Sequence, residues 1–443
     1  MTLIAPTSTE LHQAFWTIAV ASVCSISCAL LGCFLLLKRM SMLGDAIGHG
    51  VLPGIVLAVL LTGQITSVYI LVGAMVFGLV TAILAETLSA STSVTEDASL
   101  GVVYTSLFAV GVILLSKYLR FAHIDLDCVF LGLLEVVPLN TADFFGLEIP
   151  RAIPTMLLML FLTLAFLGFF WKELTIVAFD PALAQSMGFS PRLVNYLLIA
   201  LVAGSTVSAF EAVGLILVLA VLIVPAATAY LLTDRLGPML GWAALSAFSA
   251  SVLGYLLRNI GGYSLDISGM VAVILGLQFV LAVLFAPRHG LAAQGWRNFH
   301  LSLRIAQEDI LATLYRAEEA SVKTYSLALK DHGLSTWVVW LAHHKLVRLG
   351  LLATSAAGLP VLTEEGRRLG QYVVRSHRLW ETYAGAILEI PPDHVHAAAA
   401  LVEHFIGPQL QDELASTLQE PAKDPHGKSI PPAQNDAPSA ASK

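Results

Sequence analysis

The chain has 443 residues, of which 57% are hydrophobic and only 12% charged, with a mean hydropathy of +0.78. A water-soluble domain carries about 25% charged residues, which excludes a single soluble globule, and four cysteines in this length exclude a disulfide scaffold. The net charge of −7 gives no general affinity for nucleic acid, so a multi-span membrane protein with room for a soluble appendage remains.

A helix crosses the hydrocarbon core with roughly 20 mostly apolar residues. Taken in order, such stretches fall at 14–37, 43–62, 66–88, 99–116, 152–171, 193–210, 212–232, 238–257 and 268–286, which predicts about nine spans. The segment before Phe15 contains Glu10 but no Lys or Arg, so the first span reads as retained, not as a cleaved signal. Lys38, Arg39, Lys172, Arg192, Arg235 and Arg288 share one side of the membrane, and Lys117, Arg120, Arg151 and Arg258 the other. That bias puts the N-terminus outside and everything after Arg288 in the cytoplasm. Cys24, Cys28 and Cys33 in the first span and Cys128 in an outer loop read as small buried hydrophobes.

Ionisable residues inside spans are costly and mark functional positions by default. Asp45 and His49 stand i, i+4 on one helix face, in a run with Gly44, Gly48, Gly50, Pro53 and Gly54. The glycines admit a neighbouring helix, and Pro53 interrupts the backbone as in many transporter helices. A carboxylate with an imidazole suits a divalent first-row transition metal, although mutual hydrogen bonding within the bundle is the competing use. Glu211 lies between two spans and reads as an exposed loop carboxylate, with a pathway residue as the alternative. The loop after Leu115, with Lys117, Arg120, His123, Asp125 and Asp127, reads as solvated, with a docking surface or metal vestibule as the alternative. Between Phe179 and Pro191 a short helix is predicted, with Asp180 as N-cap, Pro181 at its first position and Gly188 past its end. Neither a His-Glu-x-x-His motif nor a Gly-x-x-x-x-Gly-Lys-Ser/Thr phosphate loop is present, so no ATP site belongs to this chain.

The composition changes near residue 290. Residues 1–290 hold 10 Lys and Arg with 15 Asp and Glu, while residues 291–443 hold 14 and 16 in half the length, with nine of the 13 histidines. This divides the chain into a transmembrane body at 1–290, a linker at 291–303 and a water-soluble domain beyond. Helices are predicted over 304–318, 323–331 and from Ser335, followed by apolar runs at 349–353 and 359–362. Three helices and a hairpin make a winged helix-turn-helix at 304–363. Thr363 caps a long helix to about Leu388, and a further helix at 393–405 completes a helical region at 364–420. The tail at 421–443 reads as disordered. The fold class expected is therefore an all-α polytopic membrane protein with a C-terminal winged-helix domain followed by a helical region.

The segments Gly44–Gly54, Val94–Gly101, Phe179–Ala184 and Val213–Ala229 resemble the permease subunits of metal-type ABC importers, which take up manganese, zinc or iron. That resemblance implies a permease dimer, homo- or heteromeric, in a bacterial inner membrane. It also implies cytoplasmic ATPase subunits and an extracytoplasmic metal-binding protein. Asp45 and His49 match the family's intramembrane metal positions, and the helix of Asp180, Pro181 and Gly188 its ATPase-coupling element. Residues 304–430 resemble the iron-dependent repressor family, which includes manganese regulators. The matches are Leu362–Leu369, His377–Glu381, Val395–His396, Glu403–His404 and Asp424–Gly427. His377, Glu381 and His396 match ancillary-site ligands, Glu403 and His404 primary-site ligands, and Asp309 a first-helix ligand. Ala400 stands where the family has a Cys or Glu donor, and Ala312 where the manganese branch has a carboxylate. The DNA-reading helix of that family would carry Ser335, Thr336, Lys345 and Arg348. Here Trp337, Val338, Trp340 and Leu341 crowd it, which argues against a base reader. The expectation is a permease subunit of an ATP-driven importer, manganese ahead of zinc or iron, with a metal-sensing cytoplasmic domain and no catalysis of its own. A membrane-anchored, metal-responsive transcription regulator is the competing reading.

Overall fold

The computed structural model describes residues 8–40, 42–63, 67–118, 134–144, 147–258, 265–320, 335–355 and 359–433. Positions 120–128 of the outer loop, the helix expected at 323–331 and the tail beyond 433 lie outside them. The chain divides into two compact units, Met1–Ala293 and Gln294–Lys443.

In the first unit, nine segments among the described residues are long and apolar enough to cross a membrane. They are built from helices α1 (Ser8–Leu37), α2 (Leu43–Gly50), α3 (Leu52–Thr62), α4 (Ser67–Ser91) and α5 (Glu96–Tyr118). After the antiparallel hairpin β1 (Thr141–Phe144) and β2 (Leu147–Pro150) come α6 (Ala152–Phe169), α7 (Trp171–Phe179) and α8 (Pro181–Ser186). The unit ends with α9 (Pro191–Val213), α10 (Leu215–Leu232), α11 (Leu236–Leu257) and α12 (Ile267–Phe285). Glu211 thus belongs to the last turn of α9 and not to a loop, because Gly214, with φ of +78°, ends that helix three residues later. Helix α1 is the central rod, packed against α10 and α11, with Val20, Cys28, Leu31, Cys33 and Phe34 fully buried. Helices in lipid associate through small residues and shared hydroxyls, not through a hydrophobic drive. A Cβ on Gly32 would stand 1.7 Å from the Leu222 carbonyl oxygen. Ser27 lies 3.4 Å from both Thr163 and Ser205, and Ser251 donates to Ser25 at 3.3 Å.

The span expected at 43–62 is two helices. The chain breaks at Val51, and Pro53 occupies the first turn of α3, where a missing N–H is tolerated. Gly54 and Gly73 let α3 and α4 approach until each would set a Cβ within 2.5 Å of the other's carbonyl oxygen.

The second unit starts within α13 (Leu291–Glu319) and continues with α14 (Thr336–Arg348), then β3 (Leu352–Thr354) and β4 (Pro360–Leu362), paired antiparallel with Leu352 opposite Leu362. Residues 291–303, expected as a linker, are helical: α13 runs without a break from Leu291 into the stretch where Leu303, Ala306, Ile310 and Leu314 bury one face. Helix α15 (Glu364–Ala386) is capped by Thr363, whose hydroxyl accepts from the Gly366 amide at 3.1 Å, and begins with Glu364 and Glu365 at its positive end. Then follow α16 (Pro392–Val402), a single 3₁₀ turn at Glu403–Phe405 and α17 (Pro408–Thr417). The helix expected over 393–405 thus ends three residues early, and α17 buries Gln411, Leu414 and Ala415. The expectation of disorder from 421 also fails for 421–433. Asp424 is buried and accepts from the amides of His426 and Lys428, while the carbonyls of Ser429 and Pro431 accept from the buried Arg378 and Arg375. Polar satisfaction, invisible to composition, orders this segment.

Candidate functional site

Three groups of side chains gather the chemistry. In the first unit, α2 carries Asp45 and His49, with His49 Nε2 3.7 Å from Asp45 Oδ1. Both are partly exposed on one face of the helix. Phe108 meets the imidazole edge-on at 5.4 Å and Tyr104 stacks at 6.1 Å, which fixes one side of the ring. Leu222 lies against Gly44, and Leu215 and Phe210 against Gly48, so the glycines hold α2 close to its neighbours.

Helix α8 is assembled as its sequence dictates. Asp180 Oδ1 accepts from the Leu183 amide at 2.9 Å, Pro181 opens the helix, and Gly188 takes φ of +87°, a left-handed angle that closes it. Around that cap Phe179, Leu183 and Met187 are exposed, an apolar surface that the spacing of Asp180, Pro181 and Gly188 did not announce.

The second unit holds two donor groups, buried except for the exposed His396. His377 and Glu381 stand one turn apart on α15, and His396 reaches them from α16. Glu381 Oε1 lies 3.0 Å from His377 Nε2 and 2.8 Å from His396 Nδ1. Asp309 on α13 meets His404 of the 3₁₀ turn, Oδ1 to Nε2 at 3.3 Å, with Glu403 Oε1 3.8 Å from the same nitrogen. Within each trio the donor atoms lie inside 4.8 Å of one another. Glu403 joins the two trios, because its Oε2 is 2.5 Å from His377 Nδ1. All six expected ligand positions are therefore brought together. Imidazoles and carboxylates in threes, one fully buried and one open at His396, fit a divalent first-row metal by donor chemistry. Such groups would hold the ion only as neutral imidazole and ionised carboxylate.

Three further residues were missed. Glu308 Oε2 sits 2.8 Å from His404 Nδ1, Arg316 Nη2 3.3 Å from Glu403 Oε2, and His426 Nε2 3.8 Å from Glu381 Oε1. His426 lay in a quoted motif, whereas Glu308 and Arg316 carry no local signal beyond their place on α13. Ala400 is half-buried on α16 and Ala312 buried on α13.

Electrostatics follow from this packing. Burial opposes charge on His404, but hydrogen bonds to Asp309 and Glu308 outweigh it and hold the imidazolium up to about 9. Burial likewise disfavours the Glu381 carboxylate, yet His377 and His396 bring it down to about 2. His377 is burdened by burial and raised by Glu381 and Glu403. Of the candidates for DNA contact, Ser335 is the N-cap of α14 without a side-chain bond, Thr336 and Arg348 are exposed and Lys345 is half-buried.

The family model described as the ABC 3 transport family matches residues 10–286. A second, the iron dependent repressor, metal binding and dimerisation domain, matches residues 363–432. The chain is similar to the manganese transport system membrane protein MntD of Bacillus subtilis (strain 168), 40% identical over 287 residues covering 65% of this chain and 96% of that protein. It is also similar to the zinc transport system membrane protein TroD of Treponema pallidum (strain Nichols), 39% identical over 363 residues, 80% of this chain and 97% of that one. Among solved structures, PsaBC from Streptococcus pneumoniae in complex with Fab is 29% identical with a TM-score of 0.53, over 63% of this chain and 94% of that one. With nine membrane-length apolar segments among the described residues and these matches, the chain belongs to the ABC 3 transport family of metal permeases and carries a C-terminal iron-dependent-repressor metal-binding and dimerisation domain.

Proposed function

We propose that this chain is the membrane-spanning subunit of an ATP-driven importer of a divalent transition metal, manganese foremost, whose second unit senses metal in the cytoplasm. The observation that carries the reading is Asp45 with His49: a carboxylate and an imidazole on one face of a broken helix inside an otherwise apolar span. Such a pair is expensive in lipid and earns its place by lining a path. Two donors underfill a metal's coordination, so a second permease subunit completes the set. Metal arrives from an extracytoplasmic binding protein. ATPase subunits dock on the apolar surface around α8, and their cycle switches access to Asp45 and His49. The names of the relatives, manganese and zinc transport proteins, support the cargo class.

The two trios in the second unit have a different task. Their donors come from α13, α15, α16 and the 3₁₀ turn, so a bound ion is compatible with only one arrangement of these elements. In its absence Arg316 and the His377 and His404 protons compensate the carboxylates. The exchange of proton and guanidinium for metal is the sensing event.

Radiolabelled manganese and zinc uptake tests this in cells supplying the ATPase and binding protein. Asp45→Ala and His49→Ala are each expected to lower uptake more than tenfold at normal membrane levels, while a chain ended after Gly290 still transports. If the intact chain moves neither metal with its partners present, the permease reading fails and the body serves as an anchor.

A further inference from the structure

The helix that a winged-helix domain would present to a nucleic acid here presents indoles. Helix α14 turns Val338, Ala342 and Leu346 into the core, leaving Trp337 and Trp340 59% and 61% exposed on its outer side. Phe299 of α13 stacks on Trp337, with centroids 5.5 Å apart and planes 9° from parallel. Three residues before it, Trp296 is 67% exposed and packs edgewise on His300 at 4.6 Å. Farther along α14, His344 packs on Trp340 at 4.1 Å. Helices α13 and α14 thus share one exposed aromatic strip.

The charge on the strip has one sign. Residues 291–303 and 336–350 contain Arg297, Lys345 and Arg348 and no Asp or Glu, in a domain that otherwise carries more acid than base. Indoles with a basic rim and an apolar face are what the headgroup layer of a bilayer selects, because the ring is apolar and its N–H needs a polar neighbour. Base edges in a major groove select amides and guanidinium groups instead. The tether argues the same way. Trp296 follows the last residue of α12, Phe285, by 11 residues, and an extended chain covers at most ~3.6 Å per residue, so this indole stays within about 40 Å of the end of a span. At such local concentration a weak interfacial affinity is enough.

We propose that this strip seats in the interfacial layer of the membrane, with Trp296, Trp337 and Trp340 at the boundary of headgroups and acyl chains and Lys345 and Arg348 on anionic headgroups. The surface that would read DNA is then occupied by lipid, and the domain acts at the membrane. This assignment does not depend on the metal reading.

The test uses the full chain with 5-fluorotryptophan at its seven tryptophans, in nanodiscs of phosphatidylcholine with phosphatidylglycerol, each ¹⁹F resonance assigned by a single Trp→Phe substitution. A headgroup-nitroxide lipid is expected to broaden the Trp296, Trp337 and Trp340 signals at least twofold more than that of Trp380, which packs inside the domain. A water-soluble nitroxide is expected to broaden them less than it would an open surface indole. Lys345→Glu with Arg348→Glu is expected to remove at least half of the lipid effect, as is omission of the anionic lipid. Broadening by the soluble agent alone overturns the proposal. So do shifts of these three signals on adding a DNA duplex or the ATPase subunits, which would assign the strip to nucleic acid or to protein. Lipid broadening insensitive to both charge changes would overturn the role given to the two basic residues.

Discussion

Glu403 is contested: one oxygen faces His377 and Arg316, the other His404. A guanidinium 3.3 Å from a candidate ligand repels an incoming cation, and at the effective dielectric of a protein interior one charge at such range is worth a tenfold change in affinity or more. Arg316→Ala is therefore expected to tighten manganese binding at the second unit about tenfold, read by the loss of the free-ion EPR signal in an Asp45→Ala, His49→Ala background; unchanged or weaker binding would remove Arg316 from the switch. The raised His404 and lowered Glu381 have opposite pH consequences. His404 contributes stability that is complete below its ordinary 6.5 and is lost as pH rises through about 9. Glu381 contributes stability present above its ordinary 4.5 and lost as pH falls toward about 2. Without metal, the second unit should be most resistant between about 4.5 and 6.5, as followed by pulse proteolysis of the full chain in chelator; resistance still climbing at pH 9 would contradict the His404 assignment. Residue spacing made part of this legible. His377 and Glu381 are i, i+4 neighbours, and Asp45 and His49 stood out because charge inside a span is rare. Asp309 came only from a resemblance, and Glu308 and Arg316 not at all, since their meaning depends on α13 lying against the 3₁₀ turn.

Among elements, the spans are fixed by hydropathy, and the nine segments expected are the nine found. Hydropathy could not show the division of 43–62 into α2 and α3, because Pro53 and the glycines are apolar enough to continue the average. Nor could it show which glycines are packing positions. Gly73 is one: a Cβ there would stand 2.5 Å from the Gly54 carbonyl oxygen and 2.9 Å from Ala58. Gly73→Ala must push α3 from α4, at about 1–3 kcal/mol, whereas Gly101→Ala meets nothing within 4 Å. The first variant is expected to lower the melting temperature of detergent-solubilised protein by several degrees and the second to leave it unchanged. Equal melting of the two would mean that the α3–α4 contact is not a packing constraint. The helical 291–303 segment and the ordered 421–433 segment share one lesson. Composition suggested looseness, but 291–303 continues unbroken into the helix whose buried stripe starts at Leu303, and in 421–433 carbonyl acceptors for two buried arginines fix the conformation.

At the scale of the whole molecule, the change in charge density near residue 290 is the boundary between two solvents, and it falls beside the division of the folded chain at Ala293. The proposed sensing role implies a transporter limited by its product. In cells preloaded with manganese, uptake by the intact chain is expected to fall several-fold, while a chain ended after Gly290 keeps its initial rate. Equal inhibition of both would place the control elsewhere. What the sequence could not convey is that the consecutive helices α13 and α14 align their aromatic rings on one exposed face.

The break at Val51 has one more result. In an unbroken helix the carbonyl of His49 would accept the amide hydrogen of residue 53, and proline has none to give. The Val51 amide turns toward that oxygen while also serving Ile47. The turn that bears the carboxylate and the imidazole therefore bears a third donor, a main-chain oxygen excused from the helical ladder. In the proposed site it would be a hard ligand that no side-chain substitution at Asp45 or His49 removes.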